Sequence, residues 1–119
     1  MPPMNVASLE SLVKQLHEKG AIHKKRGFSL ADTTPQLATN HLLEEVVELQ
    51  GECILGGTKE TIKEEAADVM AIFLHLLHVM DISLEEVLET CEQKLRDVFT
   101  FDPSEVISKN PGLTRRARE

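Results

Sequence analysis

The sequence contains no tryptophan and no tyrosine, and aromatic residues make up 3% of its 119 positions. A ring-rich core is therefore excluded, and the interior has to be assembled from Leu, Val, Ile, Met and Ala. Cysteine is scarce as well: Cys53 and Cys91 stand in separate helical patterns with no CxxC spacing, which fits a reducing cytoplasm. Basic residues are outnumbered, 13 against 20 acidic, for a formal charge of −7. A polynucleotide backbone would be repelled, so no polynucleotide partner is expected. The longest apolar run, "VMAIFLHLLHVM" at 69–80, is too short for a membrane span and carries His75 and His78, so no membrane partner is expected either. No signal sequence is evident at the start, and no stretch alternates convincingly between apolar and polar residues. The fold class is accordingly all-α.

What the sequence does carry is helical periodicity. Leu9, Leu12, Val13, Leu16 and Ile22 recur at helical spacing and predict a first helix over 8–25, weakened at Gly20, with Ser8 or Ser11 as caps. The segment "RGFSLADTTP" has no sustained period and reads as a connection. A second helix is expected over 35–55, opened by Thr34 and Pro35 and stopped by Gly56 and Gly57. A third follows over 59–80, capped by Thr58, polar on one side at first and apolar almost all round from Val69. "SLEE" at 83–86 is a capping box for a fourth helix that continues to about Thr100, before a break at Asp102-Pro103. The whole chain reads as a single domain, 1–119, with 103–119 a peripheral tail that is basic at its end. At this size an all-helical domain gains from a partner subunit, so an oligomer is expected.

The acidic residues are arranged. At about 100° per residue, Glu45, Glu48 and Glu52 share a narrow arc, with His41 beside them and Glu44 to one side. On the next helix Glu65 and Asp68 share a face with Thr61 and Ile72. Two acidic pairs at i and i+3 thus lie on consecutive helices joined by a short turn, which makes those helices antiparallel neighbours. Carboxylates that converge must raise their pKa values or bind cations. Oxygen ligands without cysteine favour Mg²⁺, or Mn²⁺, and Mg²⁺ held by a few carboxylates completes its octahedron with phosphate oxygens.

The order Glu44-Glu45-x-x-Glu48, sixteen residues, then Glu65-x-x-Asp68 resembles the signature of the MazG-like, all-α nucleoside triphosphate pyrophosphatase superfamily. The resemblance runs from "DTTPQLATNHLLEEVVEL" through "EEAADVMAIFLHLLHVMDISLEEV". It implies antiparallel helices contributing to a four-helix bundle between subunits of a homodimer or homotetramer. It also implies Mg²⁺-dependent hydrolysis of a nucleoside triphosphate between its α and β phosphates, giving the monophosphate and pyrophosphate. By position it makes Glu45, Glu48, Glu65 and Asp68 the metal ligands, and Glu44 and Glu45 the catalytic carboxylates.

The sequence departs from the family pattern in two places. Where relatives carry Lys and Asn for phosphate contact, this chain has Cys91 and Leu95, so Lys94 and Arg96 are the substitutes. The tryptophans that stack the base in some relatives are absent, and Phe28 stands where one is expected. Asn40 and His41 lie near the glutamate arc, within reach of sugar or base. The basic run Lys24, Lys25, Arg26 is read as a solvated helix end that could also reach a phosphate, His75 and His78 as core histidines, and both cysteines as small buried residues. A phosphoribosyl-ATP pyrophosphatase shares the acidic pair before an apolar helix and the Ser-Leu-Glu start, but its Ser-Tyr-Thr stretch is missing here. A di-iron carboxylate bundle would need Glu-x-x-His, and the i+3 partners here are Glu48 and Asp68. A catalytically silent helical interaction protein would not need the ligand set that this chain retains.

Overall fold

The computed structural model describes residues 5–107. Among these are four α-helices, α1 (Val6–Glu18), α2 (Pro35–Ile54), α3 (Lys59–Val79) and α4 (Leu84–Val98), with short 3₁₀ turns at Leu30–Asp32 and Pro103–Glu105. No strand is formed among the described residues; a single antiparallel bridge joins Ile22 and Ser29. The class is all-α, as the sequence predicts. No single helix is long and apolar enough to cross a membrane.

The helix starts follow their capping chemistry. Thr34 Oγ1 accepts from the Leu37 N–H ahead of α2, and Thr58 Oγ1 from the Thr61 N–H ahead of α3. Ser83 and Glu86 form the reciprocal capping box of α4, at 3.1 and 3.2 Å. The α1 cap is Asn5, whose Oδ1 takes the Ser8 N–H, rather than either serine.

Helix α1 also ends seven residues earlier than its period suggests. Gly20, in the left-handed region at φ 63°, turns the chain back, and Ile22, counted above as a helical core position, is exposed in the bridge to Ser29. Lys24, Lys25 and Arg26 therefore sit in a tight turn and not at a helix end. Cys53 and Cys91 are both free and exposed, contrary to their reading as packing residues.

By contact the chain divides into two units, Met1–Val87 and Leu88–Glu119. In the first, α2 packs along α3, and α1 lies on α3. Its core gathers Val13, Leu74, Leu77 and Leu84, with Leu9, Phe73 and Val87 against them. Truncating Leu74 or Leu77 to alanine would cost about 2–5 kcal/mol by lost burial and an unfilled cavity. Glu10 reaches from α1 to accept the Leu84 N–H at 2.5 Å, tying the start of α4 to this core. The second unit holds the rest of α4 and the 3₁₀ turn, and every residue described in it is exposed. The basic end of the expected tail, from residue 108 on, lies outside the described residues.

Candidate functional site

The α2–α3 hairpin sets the register of the acidic pairs. Glu48 stands eight residues before Gly56 and Glu65 eight after Gly57; Glu45 stands eleven before and Asp68 eleven after. In an antiparallel pair these residues face one another in level couples. The structure brings ligand atoms of Glu45, Glu65 and Asp68 within 4.8 Å of one another, a separation that one cation can span. Glu48 lines a cavity together with Glu45 and Asp68, and its charge acts on Glu65.

Two carboxylate oxygens of these residues, Glu45 Oε1 and Glu65 Oε1, are buried and have no hydrogen-bond partner among the described residues. Leaving such atoms unpaired is costly, and a hard divalent cation is the partner their chemistry suits. The Glu65 carboxyl is held above the usual carboxylate range, first by loss of solvation and then by the negative charges of Glu48, Asp68 and Glu45. A bound cation would relieve both causes. The residues present therefore fit a divalent metal.

The other oxygen of Glu45, Oε2, lies 3.1 Å from His41 Nε2 and 4.0 Å from the Arg26 guanidinium. His41 and Glu45 are the two buried polar residues of the described chain, and each orients the other from positions i and i+4 of α2. Glu44 points elsewhere: it is exposed, and its Oε1 receives Arg26 Nη2 at 2.7 Å.

Two cavities flank this arrangement. One, of about 580 Å³, has Glu45, Glu48 and Asp68 on one wall and His23, Lys24, Lys25 and Arg26 on another. Its neighbour, of about 300 Å³, is lined mainly by Phe28, Leu30, Leu37, Ala38 and Ile72, with Asn40, His41, Glu44 and His75 at its edge. Its wall also carries Thr33, whose buried hydroxyl has no partner among the described residues. Phe28 stacks on His23 at 5.4 Å between ring centroids and meets His41 edge-on at 6.1 Å. Asn40 Oδ1 accepts from Gln36.

Of the residues singled out from sequence, Glu44, Glu45, Glu48, Glu65, Asp68, Phe28, Asn40 and His41 thus come together around two adjoining cavities. Lys94 and Arg96 belong to the second unit, where Arg96 pairs with Glu92 at 2.9 Å. Sequence reasoning did not assign His23, Thr33 or His75 to the site. None of them stands in a motif; only His75, polar in an apolar run, gave a signal.

A family model described as the MazG nucleotide pyrophosphohydrolase domain matches residues 33–98, more than half of the chain. No curated protein and no solved structure matches it.

Proposed function

The chain belongs to the MazG nucleotide pyrophosphohydrolase family, and from that premise we propose that it hydrolyses a nucleoside triphosphate, deoxy or ribo, between the α and β phosphates in a Mg²⁺-dependent reaction. The observation that carries this reading is the pair of buried, unpartnered oxygens on Glu45 and Glu65, set in an acidic cluster that opens on a cavity. Glu45, Glu65 and Asp68, with Glu48, would hold Mg²⁺, for which Mn²⁺ can substitute. When bound, the metal neutralises phosphate charge and lowers the pKa of a water.

The protein's own groups supply the rest. His41 fixes the orientation of Glu45, so the ligating oxygen does not rotate away. To Glu44, whose Oε1 accepts from Arg26 and whose other oxygen takes no hydrogen bond among the described residues, we assign the task of taking the proton from the attacking water. The water oxygen bonds to phosphorus, the bridging P–O bond breaks, and pyrophosphate leaves with the electron pair. In the smaller cavity the base lies against Phe28 and His41, with Asn40 at the sugar edge. Lys94 and Arg96, the substitutes for the family's phosphate-contacting positions at Cys91 and Leu95, keep that role as a proposal from sequence alone.

The assembly proposed is a homodimer or homotetramer built on a helical bundle between subunits. An apolar stripe of α2, with Leu43 64%, Val47 62% and Ile54 69% exposed, supports it. The place of work proposed is the cytoplasm, which the two unpaired cysteines suit.

The test is a panel of canonical and modified nucleotides with Mg²⁺, read as monophosphate plus pyrophosphate. Glu48→Gln or Asp68→Asn should lower turnover by about a hundredfold or more while helicity is retained. Orthophosphate in place of pyrophosphate would defeat the scission, and full activity in both variants would defeat the ligand assignment.

A further inference from the structure

The turn His23–Phe28 lies outside the segment that matches the family, yet it forms a wall of the larger cavity facing the carboxylates. Its shape is closely specified. The His23 N–H donates to Phe28 O at 2.9 Å, and the Gly27 N–H returns to His23 O at 2.8 Å. His23 Nδ1 accepts the N–H groups of Lys25 and Arg26 at 3.2 and 3.1 Å. Gly27 sits at φ 77°, a conformation that a side chain would strain. Three consecutive cationic residues are thus presented by a backbone that is hydrogen-bonded on both sides.

We propose that this turn is a polyphosphate grip: Arg26, flanked by Lys24 and Lys25, exchanges its carboxylate partners for the β and γ phosphates of the incoming nucleotide. The inference rests on the function proposed above and adds to it the residues that hold the leaving group. Charge on the two walls is the first argument. Carboxylates on one side suit metal, and the polyphosphate charge that metal leaves uncovered needs cations on the other. Lability is the second argument. The Arg26–Glu44 pair is open to water on both sides, at 40% and 54% exposure, so breaking it costs little. A planar guanidinium binds phosphate through two parallel N–H bonds in a way the single contact to Glu44 does not use. The exchange also has a consequence for chemistry, because Arg26 on leaving frees Glu44 to accept a proton. Before substrate arrives, the same arginine shields an acidic cluster from its own repulsion, standing 4.0 Å from Glu45.

The experiment compares binding of an α,β-methylene nucleoside triphosphate and of the matching monophosphate, with Mg²⁺, to the intact protein and to Arg26→Ala. Loss of a charge-assisted contact should weaken the triphosphate analogue by about tenfold or more and change the monophosphate by less than about twofold. Arg26→Lys should recover part of the loss, and Mn²⁺ affinity of the nucleotide-free Arg26→Ala protein should not fall. If both ligands weaken equally, or neither does, while the unaltered protein binds and hydrolyses nucleotide, the grip is wrong and the function stands. If the unaltered protein neither binds nor hydrolyses any nucleotide, the function falls and the grip with it.

Discussion

The two oxygens of Glu45 meet different neighbours, and the difference defines what His41 does. Oε2 is engaged by the imidazole at 3.1 Å, while Oε1 is buried with no hydrogen-bond partner among the described residues, on a carboxylate that clusters with those of Glu65 and Asp68. An outer residue that orients a ligating carboxylate commonly contributes ten- to a hundredfold in metal affinity. Replacing His41 by Phe keeps a ring in the pocket and removes the bond, so Mn²⁺ affinity measured by calorimetry should fall by about that factor. Affinity unchanged within about twofold would show that Glu45 needs no orienting partner. Glu44, Glu45, Glu48 and His41 were legible in sequence because they share α2, and Glu65 and Asp68 because they share α3, where spacing translates directly into direction. Arg26 was not legible as their partner. Its contact depends on how a segment without period folds back, and no spacing rule covers that.

Between elements, α1 is fastened to α3 by an imidazole pair. His17 Nε2 and His75 Nδ1 lie 2.8 Å apart, with the His78 ring tilted against His17 at 4.4 Å between centroids. A bond of that length needs one nitrogen bare, so the two rings cannot both be fully protonated. Burial, then the neighbouring imidazoles His17, His41, His78 and His23, pushes His75 down from 6.5 to about 4, and His17 is lowered by burial and by His78. Between those two values the unfolded chain binds a proton at His75 that the folded chain does not, so stability is full above about pH 6.5 and declines toward pH 4. Because the His75 ring is only partly buried, the expected loss is about 1–2 kcal/mol, less than the whole shift implies. His75→Gln, which can still accept from His17, should flatten this decline in urea midpoints taken from pH 7 to pH 4.5. A decline of the same steepness would remove His75 as its cause. The sequence showed α2, α3 and α4 to within a residue or two, because each has a capping residue and a glycine or polar stop. It overstated α1, where apolar spacing continued past Gly20 although the chain did not.

At the scale of the whole molecule, α2 is built inside out for a lone subunit. Its inward face carries Ala38, His41 and Glu45, while Leu43, Val47 and Ile54 form a stripe on the opposite face, in water. Only five hydrophobic side chains are buried among the described residues, a thin core for a chain of 119 residues. Burying the stripe against a second copy is the cover proposed for it, and an oligomer is what the sequence led one to expect. Light scattering should give at least twice the 13.3 kDa of one chain, and Leu43→Glu with Val47→Glu should shift the mass to that of a monomer. A monomeric parent protein would leave the stripe without its proposed cover. The Gly56-Gly57 turn also bears on how such a chain can vary over time. Surface turns ordinarily gain and lose residues freely. Here one residue added between Glu48 and Gly56 would swing Glu45 and Glu48 by about 100° relative to Glu65 and Asp68, breaking both level couples at once. The stretch of α2 from Glu48 to the turn is therefore expected to tolerate insertion less well than the Lys19–Asp32 connection.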